Sequence, residues 1–102
     1  MLPSVDELLD GAVGFAIPLV TPFRGTRVRE GLLLRGPIGW AEFAPFPEYG
    51  ADESARWLSS AIEAGWIGWP DAVRDTVPVN AIVPAVTPDE TRRLVLDSGC
   101  MT

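Results

Sequence analysis

The sequence predicts an α+β chain: a three-stranded antiparallel meander with helices, followed by the first βα unit of a truncated TIM-type barrel. Three observations carry that prediction. Apolar runs at 13–20, 28–35 and 38–43 are separated by links containing Gly and Pro, the pattern of a meander. Leu58, Ala61, Ile62 and Gly65 recur at i, i+3, i+4 and i+7, which places one apolar face on a helix. The run 77–85 is apolar on both parities and is followed at once by a helix start, as in a parallel strand covered on both faces. The expected division is 1–76 for the meander and helix and 77–102 for the barrel start.

Taken in order, Ser4 and Glu7 have capping-box spacing for a short helical turn that Gly11 ends. Val13–Val20 reads as a strand, with Pro18 confining it to an edge or an irregularity. Residues 21–27 read as a loop and 28–35 as the second strand. Gly36-Pro37-Ile38-Gly39 supplies a tight turn into the third strand, which completes an antiparallel hairpin. The link 44–50, with two prolines and two aromatics, is stiff and cannot continue a ladder. Asp52 is the expected N-cap of a helix over about 53–64, whose apolar face Trp57 widens. Residues 65–70 break the period and read as a connector, with room for a helical turn through Ala72 and Arg74. Thr87-Pro88-Asp89-Glu90 is the strongest local signal: an N-cap Thr, Pro at the first helical position and Glu placed to reach back. That helix should run to about Ser98 and end on Gly99.

Composition excludes several functions. The net charge is −6 and the arginines are scattered, so no basic face exists to displace counterions from a nucleic acid. No run is long enough to span a membrane, and the N-terminus lacks a signal peptide's basic and apolar regions. No nucleic-acid or membrane partner is therefore expected, and the expected compartment is the cytoplasm. All eight basic residues are Arg, and the chain has neither Lys nor His. Serine–histidine and cysteine–histidine catalysis are thereby excluded. A lone Cys100 has no second thiol or histidine for a metal site and reads as a small, semi-buried residue.

Four segments narrow the reading: Gly39-Trp40-Ala41-Glu42-Phe43, Phe46-Pro47-Glu48-Tyr49, Ala55 to Glu63, and Val77 to Ala85. In that order they resemble the o-succinylbenzoate synthases of the enolase superfamily, particularly the actinobacterial type. The resemblance covers about residues 12 to 100 and implies a lyase of menaquinone biosynthesis. Such an enzyme dehydrates 2-succinyl-6-hydroxy-2,4-cyclohexadiene-1-carboxylate by removing a proton α to a carboxylate, with Mg²⁺ stabilising the enediolate. It also implies that the family's Lys-x-Lys strand, its further lysine and its three acidic metal ligands belong to barrel strands outside this chain. Neither catalytic nor metal-binding residues are expected here. The chain alone is expected to be inactive, to have the remaining barrel as its partner, and to self-associate without it.

What the family places in this region is the cap over the barrel mouth, whose two loops close on a small-molecule substrate. By that resemblance Phe23-Arg24-Gly25-Thr26-Arg27 is the first lid and Phe46-Pro47-Glu48-Tyr49 the second, with Phe23, Arg24, Gly25, Phe46 and Tyr49 as the expected substrate-binding residues. Elementary chemistry is compatible: Gly25 permits movement, an Arg can pair with a carboxylate, and aromatic rings exclude water from a charged intermediate. Each residue also has a plainer reading. Arg24 could be a solvated loop arginine, Phe46 and Tyr49 could pack the loop onto its own sheet, and Asn80 could bond a neighbouring backbone group rather than face the barrel mouth. Glu42 and Glu48 have no defined geometry as an acid–base pair. Two other functions remain: a different enolase-superfamily specificity, such as a cycloisomerase or epimerase, or an independent binding module.

Overall fold

Ser4 opens the first helix as its spacing predicts. In the computed structural model, which describes residues 1–100, the Ser4 N–H donates to the Glu7 carboxylate at 2.8 Å and the Glu7 N–H donates to the Ser4 hydroxyl at 3.3 Å. The resulting helix α1, Val5–Leu9, turns Leu8 into the core. Contacts gather the chain into two units, Met1–Pro70 and the stretch beginning at Asp71.

In the first unit, strands β1 (Val13–Phe23), β2 (Thr26–Arg35) and β3 (Trp40–Phe43) form an antiparallel sheet in the order β1-β2-β3. Three strands in a meander were expected. Pro18 lies on β1, an edge strand, and the β1–β2 register shifts between Pro18 and Phe23. Both outcomes follow from an imino nitrogen that cannot donate to the ladder.

The expected loop 21–27 is a correction. Strand pairing continues through Phe23↔Thr26, leaving only Arg24 and Gly25 between the strands. These two residues take φ of 51° and 74°, and two successive positive-φ residues give a hairpin turn whose twist matches that of the flanking strands. The third strand begins later than expected because the preceding turn uses its own backbone groups. Gly36 N–H donates to Gly39 O at 3.0 Å, and Ile38 N–H donates to Gly65 O at 2.9 Å.

Helix α2, Ala51–Ile62, is capped by the Gly50 backbone rather than by Asp52. Asp52 and Glu53 sit inside the first turn, where negative charge complements the helix dipole. The expected connector at 65–70 is also corrected. The chain winds on through one π-helical turn, Glu63–Ile67, and is released at Gly68 with φ 90°. An inserted residue in a helix re-aims the groups that follow it. Here the Gly65 carbonyl meets the 36–39 turn, and a Cβ on Gly36 would overlap that carbonyl.

The core consists of Leu8, Leu34, Ala41, Ala61 and Ile62, with Leu32, Phe43, Leu58 and Trp66 packed against it. Ala61 and Ile62 lie on the predicted helical face. Leu34 is 2% exposed, and full burial of one such side chain stabilises by about 1.5–3 kcal/mol.

In the second unit, α3 spans Pro88–Ser98 with the predicted Thr87–Glu90 capping box, Pro at its start and Gly99 in the left-handed region at φ 69°. The strand expected at 77–85 does not form. Those residues have no ladder partner among the described residues, and Val77, Val79 and Ile82 are 68%, 69% and 79% exposed. A strand needs a neighbour to bond, and Pro78 and Pro84 remove two donors from this one. The turn of helix proposed through Ala72 and Arg74 is likewise absent, that stretch being irregular. Asn80 donates to Ala81 O at 3.0 Å, so its amide bonds an adjacent backbone group. Cys100 is semi-buried. Its continuation at Met101 and Thr102 lies outside the described residues.

Candidate functional site

Residues from both expected lids meet at one end of the first unit. The left-handed backbone of Arg24 at the tip of the β1–β2 hairpin sends its side chain across to the link between β3 and α2. There the guanidinium donates to the Tyr49 hydroxyl at 2.8 Å and pairs with the Glu48 carboxylate at 3.1 Å. It also lies 4.3 Å from the centroid of the Phe46 ring and 5.4 Å from that of Tyr49. One cation therefore engages three of the four side chains at positions 46–49: Phe46, Glu48 and Tyr49.

The rings beneath it form a connected set. Phe46 is 6.3 Å from Phe23, 5.6 Å from Tyr49 and 5.8 Å from Trp57 of α2, centroid to centroid. Tyr49 and Trp57 are 5.6 Å apart. The Phe46–Tyr49 and Phe46–Trp57 pairs are edge-to-face, the arrangement in which a positive ring edge meets a negative ring face. A second arginine contributes from β2: Arg29 donates to the Ala44 carbonyl and lies 4.6 Å from the Phe46 centroid. The hairpin, the second loop and helix α2 are thus joined through Phe46.

Electrostatics reinforce the arrangement. The hydrogen bond to Tyr49 holds the Arg24 guanidinium above its ordinary pKa, desolvation opposes this, and the charges of Tyr49, Glu48 and Glu53 add to the rise. As an arginine, this residue carries its positive charge throughout the working pH range. Beside the cluster, Asp52, Glu53, Arg56 and Trp57 line a depression of about 370 Å³. Among the described residues, no group of three or more His, Cys, Asp or Glu side chains converges to hold a metal ion.

Of the five residues singled out from the sequence, Arg24, Phe46 and Tyr49 contact one another, Phe23 approaches Phe46, and Gly25 forms the turn that places Arg24. Glu42 and Glu48 do not form a pair: Glu48 is committed to Arg24. Sequence reasoning placed Glu48 within the second lid but not its pairing with Arg24, and missed Arg29 and Trp57 as members of the cluster. Arg29 carries a readable signal, an arginine two residues from Gly31 on a strand, where alternate side chains share a face. Nothing comparable marks Glu48, whose partner lies 24 positions earlier in the chain.

The sequence comparisons decide the family. The model for the enolase N-terminal domain-like family matches residues 14–65, half of the chain and the whole of the segment that builds this cluster. The chain belongs to the enolase N-terminal domain-like family. Within it, the likeness is to the N-terminal region of o-succinylbenzoate synthases. The chain is 62% identical over 88 residues to the o-succinylbenzoate synthase of Thermobifida fusca, covering 86% of this chain and 28% of that protein. It is 49% identical over 86 residues to that of Mycolicibacterium smegmatis, covering 84% and 27%. To that of Mycobacterium tuberculosis it is 45% identical over 86 residues, covering 84% and 26%. The chain thus spans little more than a quarter of the length of the curated relatives it matches. The three-stranded sheet with its helices is consistent with an enolase N-terminal domain. No helix among the described residues is long and apolar enough to cross a membrane.

Proposed function

We propose that this chain is the substrate-capping part of a cytoplasmic o-succinylbenzoate synthase acting in menaquinone biosynthesis. In that reading, 77–85 and α3 open the barrel, and lysines and Mg²⁺ ligands from the rest of the barrel carry out the dehydration. The cap supplies none of the groups that abstract the proton or hold the metal, so the chain alone is inactive. Its lid, formed by Phe23, Arg24, Gly25, Phe46 and Tyr49, covers the barrel mouth and excludes water from the enediolate. When bound, Mg²⁺ supplies charge stabilisation for that intermediate.

The observation that supports this reading most is the convergence of the two lid segments into one aromatic and cationic surface, in a chain 62% identical to an o-succinylbenzoate synthase. The complete lack of Lys and His supports a covering role over a proton-transferring one. The test is Mg²⁺-dependent formation of o-succinylbenzoate, measured side by side for this chain and for the product of the full reading frame that encodes it. Activity in the longer product alone is expected. Activity in neither, with the short chain folded, would replace the proposal with a binding module. Turnover of a cycloisomerase or epimerase substrate instead would move it to another specificity of the superfamily.

A further inference from the structure

We infer that Arg24 is a positioning residue which clasps the two lid segments together, so that the hairpin tip and the 44–50 loop open and close as one body. This rests on the capping role just proposed and adds a division of labour within the lid. Three features of the geometry carry it. First, the guanidinium of Arg24 is already engaged on its polar edges by Tyr49 at 2.8 Å and Glu48 at 3.1 Å, while its carbon sits 4.3 Å from the Phe46 centroid. A planar fork can serve several acceptors and a ring face together, and here all of them belong to one loop. Second, Arg24 is the one non-glycine residue with positive φ among the described residues. Such a backbone is unfavourable for a side-chain-bearing residue unless its surroundings hold it, and the clasp is what holds it. Third, the second loop is anchored independently on its far side, with Arg29 donating to Ala44 O and Phe46 packed on Trp57. Beside the Phe23–Phe46 ring contact, Arg24 is therefore the polar contact that fastens the hairpin tip to a loop already seated on α2. Its influence on substrate passes through Phe46 and Tyr49, not through direct pairing with a carboxylate.

The test uses the complete protein and two readouts. Amide hydrogen exchange is followed in the variants Arg24→Gln, Arg24→Gly and Tyr49→Phe, and kcat/KM for o-succinylbenzoate formation in these and in the double variant Arg24→Gln/Tyr49→Phe. The clasp predicts faster exchange in 44–50 as well as in 22–26 for both Arg24 variants. Arg24→Gly is informative because glycine suits the positive φ, so it removes the clasp without burdening the turn. Each single variant should lower kcat/KM by about tenfold, within the range that displacement of a positioning group produces, and the double variant should be no worse than the poorer single one. Exchange changes confined to 22–26, or losses that multiply in the double variant, would overturn the inference. If the wild-type protein forms no o-succinylbenzoate at all, the functional proposal fails, while the exchange measurement still decides the clasp.

Discussion

The unit Met1–Pro70 and the stretch beginning at Asp71 are built from similarly apolar segments, but only the first forms a buried core among the described residues. In the first, Leu34, Ala41, Ala61 and Ile62 are all buried, because three paired strands present one face to a helix whose apolar residues recur at the matching period. In the second, the run 77–85 is as apolar as any strand of the sheet, yet Val77, Val79 and Ile82 stay exposed and α3 buries no residue. The difference teaches that hydrophobic pattern states what a segment requires of its surroundings. The first unit meets that requirement on the face where β2, β3 and α2 pack together, while Ile17, Val20 and Trp40 elsewhere in it remain 56%, 103% and 57% exposed. The βα segment does not meet it among the described residues, in keeping with a proposed barrel whose other strands supply its neighbours.

Substitutions should expose this contrast in order of size. The largest loss is expected for Gly36→Val, since any side chain there runs into the Gly65 carbonyl; thermal melting of the first unit should show it unfolded or profoundly destabilised. Leu34→Ala comes next, with a loss of about 2–5 kcal/mol in chemical denaturation, the range for removing a buried leucine. By contrast, Ile82→Ala should change the stability of this chain by less than about 0.5 kcal/mol, as exposed substitutions do. A loss at Ile82 comparable to that at Leu34 would erase the distinction between the two regions.

Association sharpens the same comparison. Contiguous exposed apolar surface favours contact with other molecules, so the 102-residue chain should self-associate in sedimentation velocity. Replacing Val77, Val79 and Ile82 with Ser should shift it toward monomer. A wild-type chain that stays monomeric at high concentration would contradict this expectation.

The smallest effect concerns the helix starts. Glu7 and Glu90 are held below the usual carboxylate pKa. The Ser4 backbone N–H is the larger cause for Glu7 and the Thr87 hydroxyl for Glu90, with the other Ser4 or Thr87 group adding to each. A carboxylate with a depressed folded-state pKa contributes stability above its unfolded value and loses it as pH falls through the folded value. Circular dichroism should therefore record a slight loss of helix as pH drops below about 4, the ordinary range for Glu, and Glu90→Gln should flatten the part contributed by α3.

Much of the secondary structure is legible because its determinants are local. Ser4 with Glu7, Thr87 with Glu90, Pro18 at an edge, and the spacing of Leu58, Ala61 and Ile62 each declare themselves within a few residues. The misreadings arise where distant partners decide. The Arg24-Gly25 turn lacks the usual Asn-Gly or Asp-Gly signature of a two-residue hairpin, and the π-helical turn places Gly65 against a loop nearly thirty positions away. The hydrophobicity of 77–85 predicts a strand, but a ladder requires a second strand that pattern alone cannot supply. The same holds for the site. The sequence marks the two expected lid segments, whereas the joining of Arg24 to Glu48 and of Arg29 to Ala44 O is visible only in three dimensions.

The capping role is tested most directly by amide exchange of the complete protein with and without Mg²⁺ and o-succinylbenzoate. The account predicts that the ligand slows exchange in 21–27 and 44–50 together and leaves β2 and β3 little changed. Binding of o-succinylbenzoate with no protection in either segment would contradict it.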